Sequence, residues 1–264
     1  MHKVVHVITR VLLGGVLAGL SFAAQQPDVK TIIQNSVAAN ERDFEAAPHF
    51  NYKEKDKSGN EIKAYQVTMI EGSPYQRLLS ENGEPLSKER AAEEMKKQQQ
   101  AIAQRKAESP EQRRSRIAEY EKGRKRDHQM MSQLSEAFDF TLEGKKKIRK
   151  FNVWLLKATP RPGYKPPNME AQVLTGMEGE MWIDQKTYQW VKVTAKVIHP
   201  VSIEGFLAQV EPGTRFEIEK APVPDGSWQI THFSMQSHAK VLFLVNHSSQ
   251  EEDWFYDFEK IKNP

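Results

Sequence analysis

Gly179-Glu-Met-Trp-Ile-Asp-Gln-Lys-Thr-Tyr-Gln-Trp-Val-Lys-Val-Thr-Ala-Lys-Val-Ile-His199 is the stretch that decides the fold class. Val191, Val193, Ala195 and Val197 alternate with Lys192, Thr194 and Lys196, a period of two that belongs to a strand with one face buried and one in water. Asp184-Gln-Lys-Thr187 separates this run from Gly179–Asp184 with turn-forming residues, so the two strands are expected to pair as an antiparallel hairpin.

The same pattern extends in both directions. From Glu61, Tyr65, Val67 and Met69 take one face and Gln66 and Thr68 the other; Gly72-Ser-Pro74 breaks the run before a second strand, Tyr75–Ser80, and Glu81-Asn-Gly-Glu84 marks a turn. Strands resume with Phe151–Ala158, Tyr188–His199, Arg215–Lys220, Trp228–Val245 and Glu252–Ile261, with Pro224-Asp-Gly-Ser227 as a further hairpin turn. Thr159-Pro-Arg-Pro-Gly-Tyr-Lys-Pro-Pro167 is a stiff loop that cannot lie inside a sheet. In Lys240–Val245, Val241, Phe243 and Val245 oppose Leu242 and Leu244, so both faces of that strand need cover, from helices or from a ligand. The fold expected is α+β, mainly an antiparallel meander with helices.

Two helical segments stand out. Residues 25–47 place Val29, Ile32, Ile33, Val37 and Phe44 at spacings near three and four, after Pro27-Asp28 as a start and before Pro48. Residues 87–138 are dense in Glu, Lys, Arg, Gln and Ala, and Ser109-Pro-Glu-Gln112 carries the cap, first-turn proline and reciprocal glutamine of a second helix start. This segment is expected to be two helices joined near Glu108, with a thin apolar stripe (Met95, Ile102, Ile117, Tyr120, Met131, Leu134, Phe138) and solvated pairs such as Glu93 with Lys97. Its polarity predicts a hairpin that projects into solvent or meets a partner instead of filling a cavity.

The first residues address the chain. Met1-His-Lys3, the apolar run Val11–Phe22 and the small-x-small Ser21-Phe-Ala23 have the order of a secretory signal, and the run is short of the roughly 20 residues a spanning helix needs. Residues 1–24 are therefore expected to be removed, leaving an exported periplasmic protein of one domain, 25–264; the alternative is an uncleaved anchor. There are no cysteines, hence no disulfide, no thiol nucleophile and no site for a lipoprotein anchor. Lys3 and Arg10 belong to the signal, so of 38 basic residues 36 remain against 35 acidic, a balance that argues against a nucleic-acid binder.

Gly179-Glu-Met-Trp-Ile-Asp-Gln-Lys-Thr187 resembles the hairpin of the LolA-like superfamily of outer-membrane lipoprotein-sorting and carrier proteins. Arg77-Leu-Leu-Ser-Glu-Asn-Gly-Glu-Pro-Leu-Ser87, the Thr159–Pro166 loop and Trp254-Phe-Tyr-Asp-Phe258 are similar to an uncharacterised envelope branch of that group. The resemblance implies an incomplete antiparallel barrel covered by helices, here with the charged hairpin 87–138 inserted, that holds acyl chains between sheet and helices. It implies no cofactor. It offers no residue-level match for the basic residue that locks the carrier's lid; Arg77 is the candidate, and an ordinary strand arginine the alternative.

An apolar cavity needs inward side chains from several strands, and the pattern supplies Val67, Met69, Leu79, Trp154, Leu156, Met181, Ile183, Val191, Val193, Phe216 and Ile218; the competing reading is that they only fill a core. The expected function is non-covalent binding of a lipid or lipid-linked ligand in the bacterial envelope. The alternative is an interaction module whose hairpin docks an envelope protein. Arg113-Arg-Ser-Arg116, Lys122-Gly-Arg-Lys-Arg126 and Lys145-Lys-Lys-Ile-Arg149 could meet anionic head groups, although Glu111, Glu119 and Glu121 favour a solvated face. No enzymatic motif accompanies His199, His232, His238 and His247, and Glu178, Glu180 and Asp184 read as turn and edge residues. His232 and His238 could share a strand face as metal ligands, but separate histidines are expected.

Overall fold

A computed structural model describes residues 27–46, 49–203, 208–241 and 245–261. The expected signal and Leu242-Phe-Leu244 of the doubly apolar strand lie outside these residues.

The elements are helix α1 (Val29–Ala46), strands β1 (Phe50–Ser58), β2 (Glu61–Ile70), β3 (Ser73–Glu81) and β4 (Glu84–Pro85), helices α2 (Lys88–Lys106), α3 (Pro110–Ser132) and α4 (Leu134–Ala137), then strands β5 (Phe138–Ile148) and β6 (Phe151–Pro160). A 3-10 turn (Glu170–Gly176) leads into β7 (Met177–Asp184), β8 (Trp190–Val197), β9 (Val201–Ile203), β10 (Ala208–Val210), β11 (Arg215–Pro222), β12 (Trp228–Val241) and β13 (Val245–Lys260).

The strands form one sheet in the order β4-β3-β2-β1-β13-β12-β11-β8-β7-β6-β5, with β9 and β10 attached beside β12. The pairings along it are antiparallel. The path ends at β4 and β5 without joining them, so the sheet is an open half-barrel, mainly β with helices, as the resemblance implies. Most neighbours are consecutive hairpins; the long-range join is β1 against β13, where Lys55 faces Trp254 and Asp56 faces Asp253.

Because β4 and β5 are the two free edges, the chain between them must cross the open mouth. That chain is α2, α3 and α4, so the charged hairpin is a strap from edge to edge. It differs here from the projecting hairpin its polarity predicts, and arginines supply the reason. Arg105 donates to the carbonyls of Ile70, Ser73 and Pro74 at 2.8–3.1 Å. Arg116 bridges Glu108 (2.6 Å), Ser73 Oγ (2.6 Å) and the Glu71 carbonyl (3.1 Å). Gly72, at φ +86°, lets the β2–β3 turn pass under Ile117, whose Cδ1 would lie 2.8 Å from an added Cβ. Farther along, Arg124 donates to the Phe44 carbonyl and lies over the Phe44 ring. Ser109 and Gln112 form the expected reciprocal cap at the start of α3, at 3.2 and 2.9 Å. α2 itself buries no residue.

The core lies between α1, α4, the 3-10 turn and one face of β5–β8 and β11–β12. Ile32, Leu134, Ala137, Ala171 and Leu174 pack there on Trp154, Leu156, Met177, Met181, Ile183, Val193 and Ile218. One register detail departs from the alternation predicted for β8. Ile183 pairs with Trp190 and Trp182 with Lys192, so Val191 is the extra residue of a bulge. It therefore joins Val153 and Trp228 in a separate cluster, while Trp190 takes its place beside Val193. Among the described residues no helix is long and apolar enough to cross a membrane.

Candidate functional site

α1 carries two kinds of underside. Its first half presents Val29, Ile32 and Ile33 to the core, while Ser36, Ala39, Asn40 and Asp43 follow at helical spacing and turn the second half polar. The helix is started by Asp28, whose carboxylate accepts from the Thr31 amide at 2.7 Å.

The polar half meets polar residues from the sheet. Trp190 Nε1 donates to Ser36 Oγ at 2.6 Å and Gln189 Nε2 to the Ala39 carbonyl at 3.0 Å. Lys220 Nζ lies 2.7 Å from Asn40 Oδ1, 3.4 Å from Gln189 Oε1 and 3.5 Å from Asp43 Oδ2. Burial pushes the Lys220 ammonium down to about 8, and the attraction of Asp43 offsets only part of that. Above this network α3 contributes His128, stacked on Phe44 with centroids 4.0 Å apart and 2.6 Å from Glu41 Oε2.

Space is left along α1 in three parts that share Val37 in their linings. A groove of about 640 Å³ runs between α1 and the α4–β5 corner, lined by the apolar Val29, Ile33, Val37 and Phe140 and by the polar Lys30, Gln34, Ser135, Glu136 and Arg161. A pocket of about 10 Å³ is lined by Ile33, Val37, Leu134, Met181 and Trp190. A cleft of about 120 Å³ follows, walled by Phe44, Trp190, Trp228 and Ile230 and reached by Asn40, Asp43, His128, Lys220 and Gln229. Val37 borders all three and remains 36% exposed, a large apolar side chain open at the surface of α1.

A larger trough of about 670 Å³ crosses the opposite face of the sheet. It is lined by Glu143, Lys157, Glu180 and Arg215, by the ion pair of Glu178 with Lys196 at 3.0 Å, and by Phe216 and Met235, a mixed charged and apolar surface.

Of the residues singled out from sequence, Trp154, Leu156, Met181, Ile183, Val193, Phe216 and Ile218 share the helix-covered face, and Met181 also borders the 10 Å³ pocket. Val67 is buried between β1 and β3 and Met69 half-buried beside it, outside that cluster. Leu79 sits at an irregular step of β3, between the pairs Ala64–Ser80 and Tyr65–Leu78. Val191 is on the other face. Arg77 pairs across from Gln66, on the side of the strand opposite Val67, and its Nε is buried without a partner.

The histidines do not converge. His232 meets Glu252 at 3.2 Å and His238 meets Ser248 at 2.9 Å, and no group of three metal-ligating side chains gathers among the described residues. Asp184 accepts from the Lys186 and Thr187 amides at 3.1 and 2.9 Å, a turn residue as read.

Lys220, Gln189 and Gln229 were not legible as site residues. Lys220 ends a strand of alternating charge, where a lysine ordinarily points to water; only the packing of Asn40 and Asp43 over it makes it a buried group.

No protein-family model and no curated protein matches the chain. Among solved structures it is similar to a LolA superfamily protein from Nitrosomonas europaea (10% identity, 90% of this chain and 96% of that one, TM-score 0.35). It is also similar to a putative outer membrane lipoprotein-sorting protein domain from Vibrio parahaemolyticus (10% identity, 88% and 94%, TM-score 0.31).

Proposed function

We propose that this protein is an exported, non-enzymatic envelope protein of one domain, residues 25–264, that binds a lipid or lipid-linked ligand by laying an acyl chain in the groove along α1. The observation that carries the reading is Val37, 36% exposed on α1 and lining all three of these spaces, beside the half-buried Val29, Ile33 and Phe140. Of the residues first taken as cavity lining, Trp154, Leu156, Met181, Ile183, Val193, Phe216 and Ile218 belong to the core that α1 covers, so they would form the floor under the groove and not its open wall. Burial of a chain contributes about 0.8 kcal/mol per methylene, so eight methylenes would supply roughly 6 kcal/mol before the cost of ordering the chain. Release then requires a membrane or partner offering equal cover.

Val37→Arg tests this. The position is exposed, so the fold should survive, and a charge in the groove should weaken binding of a fluorescent monoacylglycerol at least tenfold. Unchanged binding by the variant would remove the groove from the account; absence of binding by the wild type would remove the lipid ligand.

A second reading keeps support from α2, which buries none of its residues and leaves Met95 43% exposed. On that reading the hairpin 87–138 docks an envelope protein partner or an anionic membrane surface. Deletion of the hairpin would cut the strap between the sheet edges, so site-specific crosslinking from Met95 in intact cells is the cleaner test.

A further inference from the structure

Where β13 meets β1, the inner face of the sheet changes character. Asp253 pairs with Phe233, which packs on the core under α1, so its side chain stands on the inner face; Asp56, directly across in β1, stands beside it. Glu54 and Glu251, each two residues along its strand, share that face. Opposed side chains in such a pair have Cβ atoms about 4.5–5.5 Å apart, where like charges weaken a sheet. Into these carboxylates points Asp253, 9% exposed, with neither a hydrogen bond nor an ion pair among the described residues. Burial, followed by Glu251, Asp56 and Glu54, pushes its carboxyl up to about 7.

The neighbouring cations are engaged elsewhere. Lys53 and Lys57 alternate to the outer face, where they meet Asp257 at 2.9 Å and Glu252 at 3.8 Å, and Lys55 lies over Trp254. Lys63, across from Asp56 in β2, is 2.7 Å from Glu61, and Glu54 accepts from the Gln76 amide at 2.8 Å. The position is open to a visitor, because in the next row outward Ser58 and Glu251 are exposed and Met235 is 36% exposed. Among the described residues no three carboxylates or histidines gather to hold a metal ion. An ammonium or guanidinium group needs only one or two carboxylates, which it meets by charge-assisted hydrogen bonds.

We propose that Asp253 and Asp56 form a binding site for an organic cation, a primary ammonium or guanidinium group that enters the inner face past Glu251 and pairs with both carboxylates. The group is carried by a free polyamine or by a lysine or arginine side chain of a peptide. Its arrival pairs the buried Asp253 and cancels the repulsion across the β1–β13 join, so the bound cation also stabilises the fold.

The test is calorimetric titration of spermidine, and of an end-blocked Lys-Arg dipeptide, into wild type, Asp253→Asn and Glu259→Gln at pH 8. The wild type should bind at least one of them and unfold at a higher temperature when it does. Asp253→Asn relieves the repulsion and should fold, yet weaken binding at least tenfold. Glu259→Gln removes an acidic charge farther along β13 and should stay within about threefold of wild type. Binding of the dipeptide assigns the cation to a peptide side chain, and binding of spermidine alone assigns it to a free amine. Binding of neither, a loss shared by both variants, or full binding by Asp253→Asn overturns the site. The wild type also decides the matter without any variant: carbon NMR should show the Asp253 carboxyl titrating at lower pH with the cation bound, and an unmoved titration overturns the assignment.

Discussion

Lys220 gives the sharpest handle on how α1 is held to the sheet. Its ammonium is buried, with a folded-state value of about 8 against 10.5 for a free lysine. Because the folded value is depressed, the unfolded chain binds more protons between those two values, and stability must rise with pH through that window. At pH 7 the charged, buried lysine costs about 3 kcal/mol; by pH 9.5 it has largely discharged when folded, and about 2 kcal/mol of that cost is recovered. Tyr52, Tyr65, Tyr120 and Tyr164 are held above the ordinary tyrosine range by burial and act in the opposite direction at higher pH, so the comparison stops at 9.5. Lys220→Met supplies the reference, since it keeps the aliphatic bulk without the proton. Urea unfolding followed by tryptophan fluorescence should show the wild type gaining about 2 kcal/mol relative to the variant between pH 7 and 9.5. A difference that stays flat across this range would show that α1 does not bury a charged Lys220, and the network with Asn40 and Asp43 would have to be redrawn.

Two further perturbations probe the remainder of the frame. Asp253, facing Asp56 across the β1–β13 join, is pushed up to about 7 by burial and by Glu251, Asp56 and Glu54. A raised carboxylate value means stability is lost as pH climbs from the ordinary aspartate range toward 7, so Asp253→Asn should raise the unfolding midpoint at pH 7.5 and leave it unchanged near pH 4; a gain at both would assign the effect to something other than charge. Gly72→Ala should destabilise by more than about 1 kcal/mol, because φ +86° is strained for alanine and its Cβ would press Ile117. Ile117→Ala in the same chain should relieve only the contact part, measured by thermal unfolding of both variants.

The hairpin turns were legible because their chemistry is local: Asn82-Gly83 and Pro224-Asp-Gly-Ser227 turn where their residues favour it, with positive φ at Asn82, Gly83 and Gly226. The caps of α1 and α3 were legible for the same reason. Of the strands that were not, β1 and β5 are the long ones, the others being the short β4, β9 and β10. In β1, Lys53, Glu54, Lys55, Asp56 and Lys57 show no apolar period, yet the strand is interior, because Lys53 pairs with Asp257 at 2.9 Å and Lys55 lies over Trp254 at 4.4 Å. Those partners are some 200 residues away in sequence. In β5, Lys145, Lys146 and Lys147 disguise a strand whose place at a free edge is what such lysines protect. β13 begins at Val245 and not Glu252, its polar Asn246–Gln250 held by pairing with β12. The bulge at Val191 escaped because one added residue does not disturb a run of valines, although it reverses which of them faces the helices. The floor of the candidate site was therefore readable from periodicity, whereas its polar end depends on α1 lying over β11.

The central claim is that the groove along α1 carries an acyl ligand. The direct measurement is native mass spectrometry of the protein isolated from the envelope fraction without detergent, with organic extraction of whatever accompanies it. The account predicts a discrete adduct of lipid mass on the wild type that is absent from Val37→Arg and releases an acylated species. A bare protein mass, unchanged after incubation with envelope lipids, would contradict it and transfer the function to the exposed face of α2.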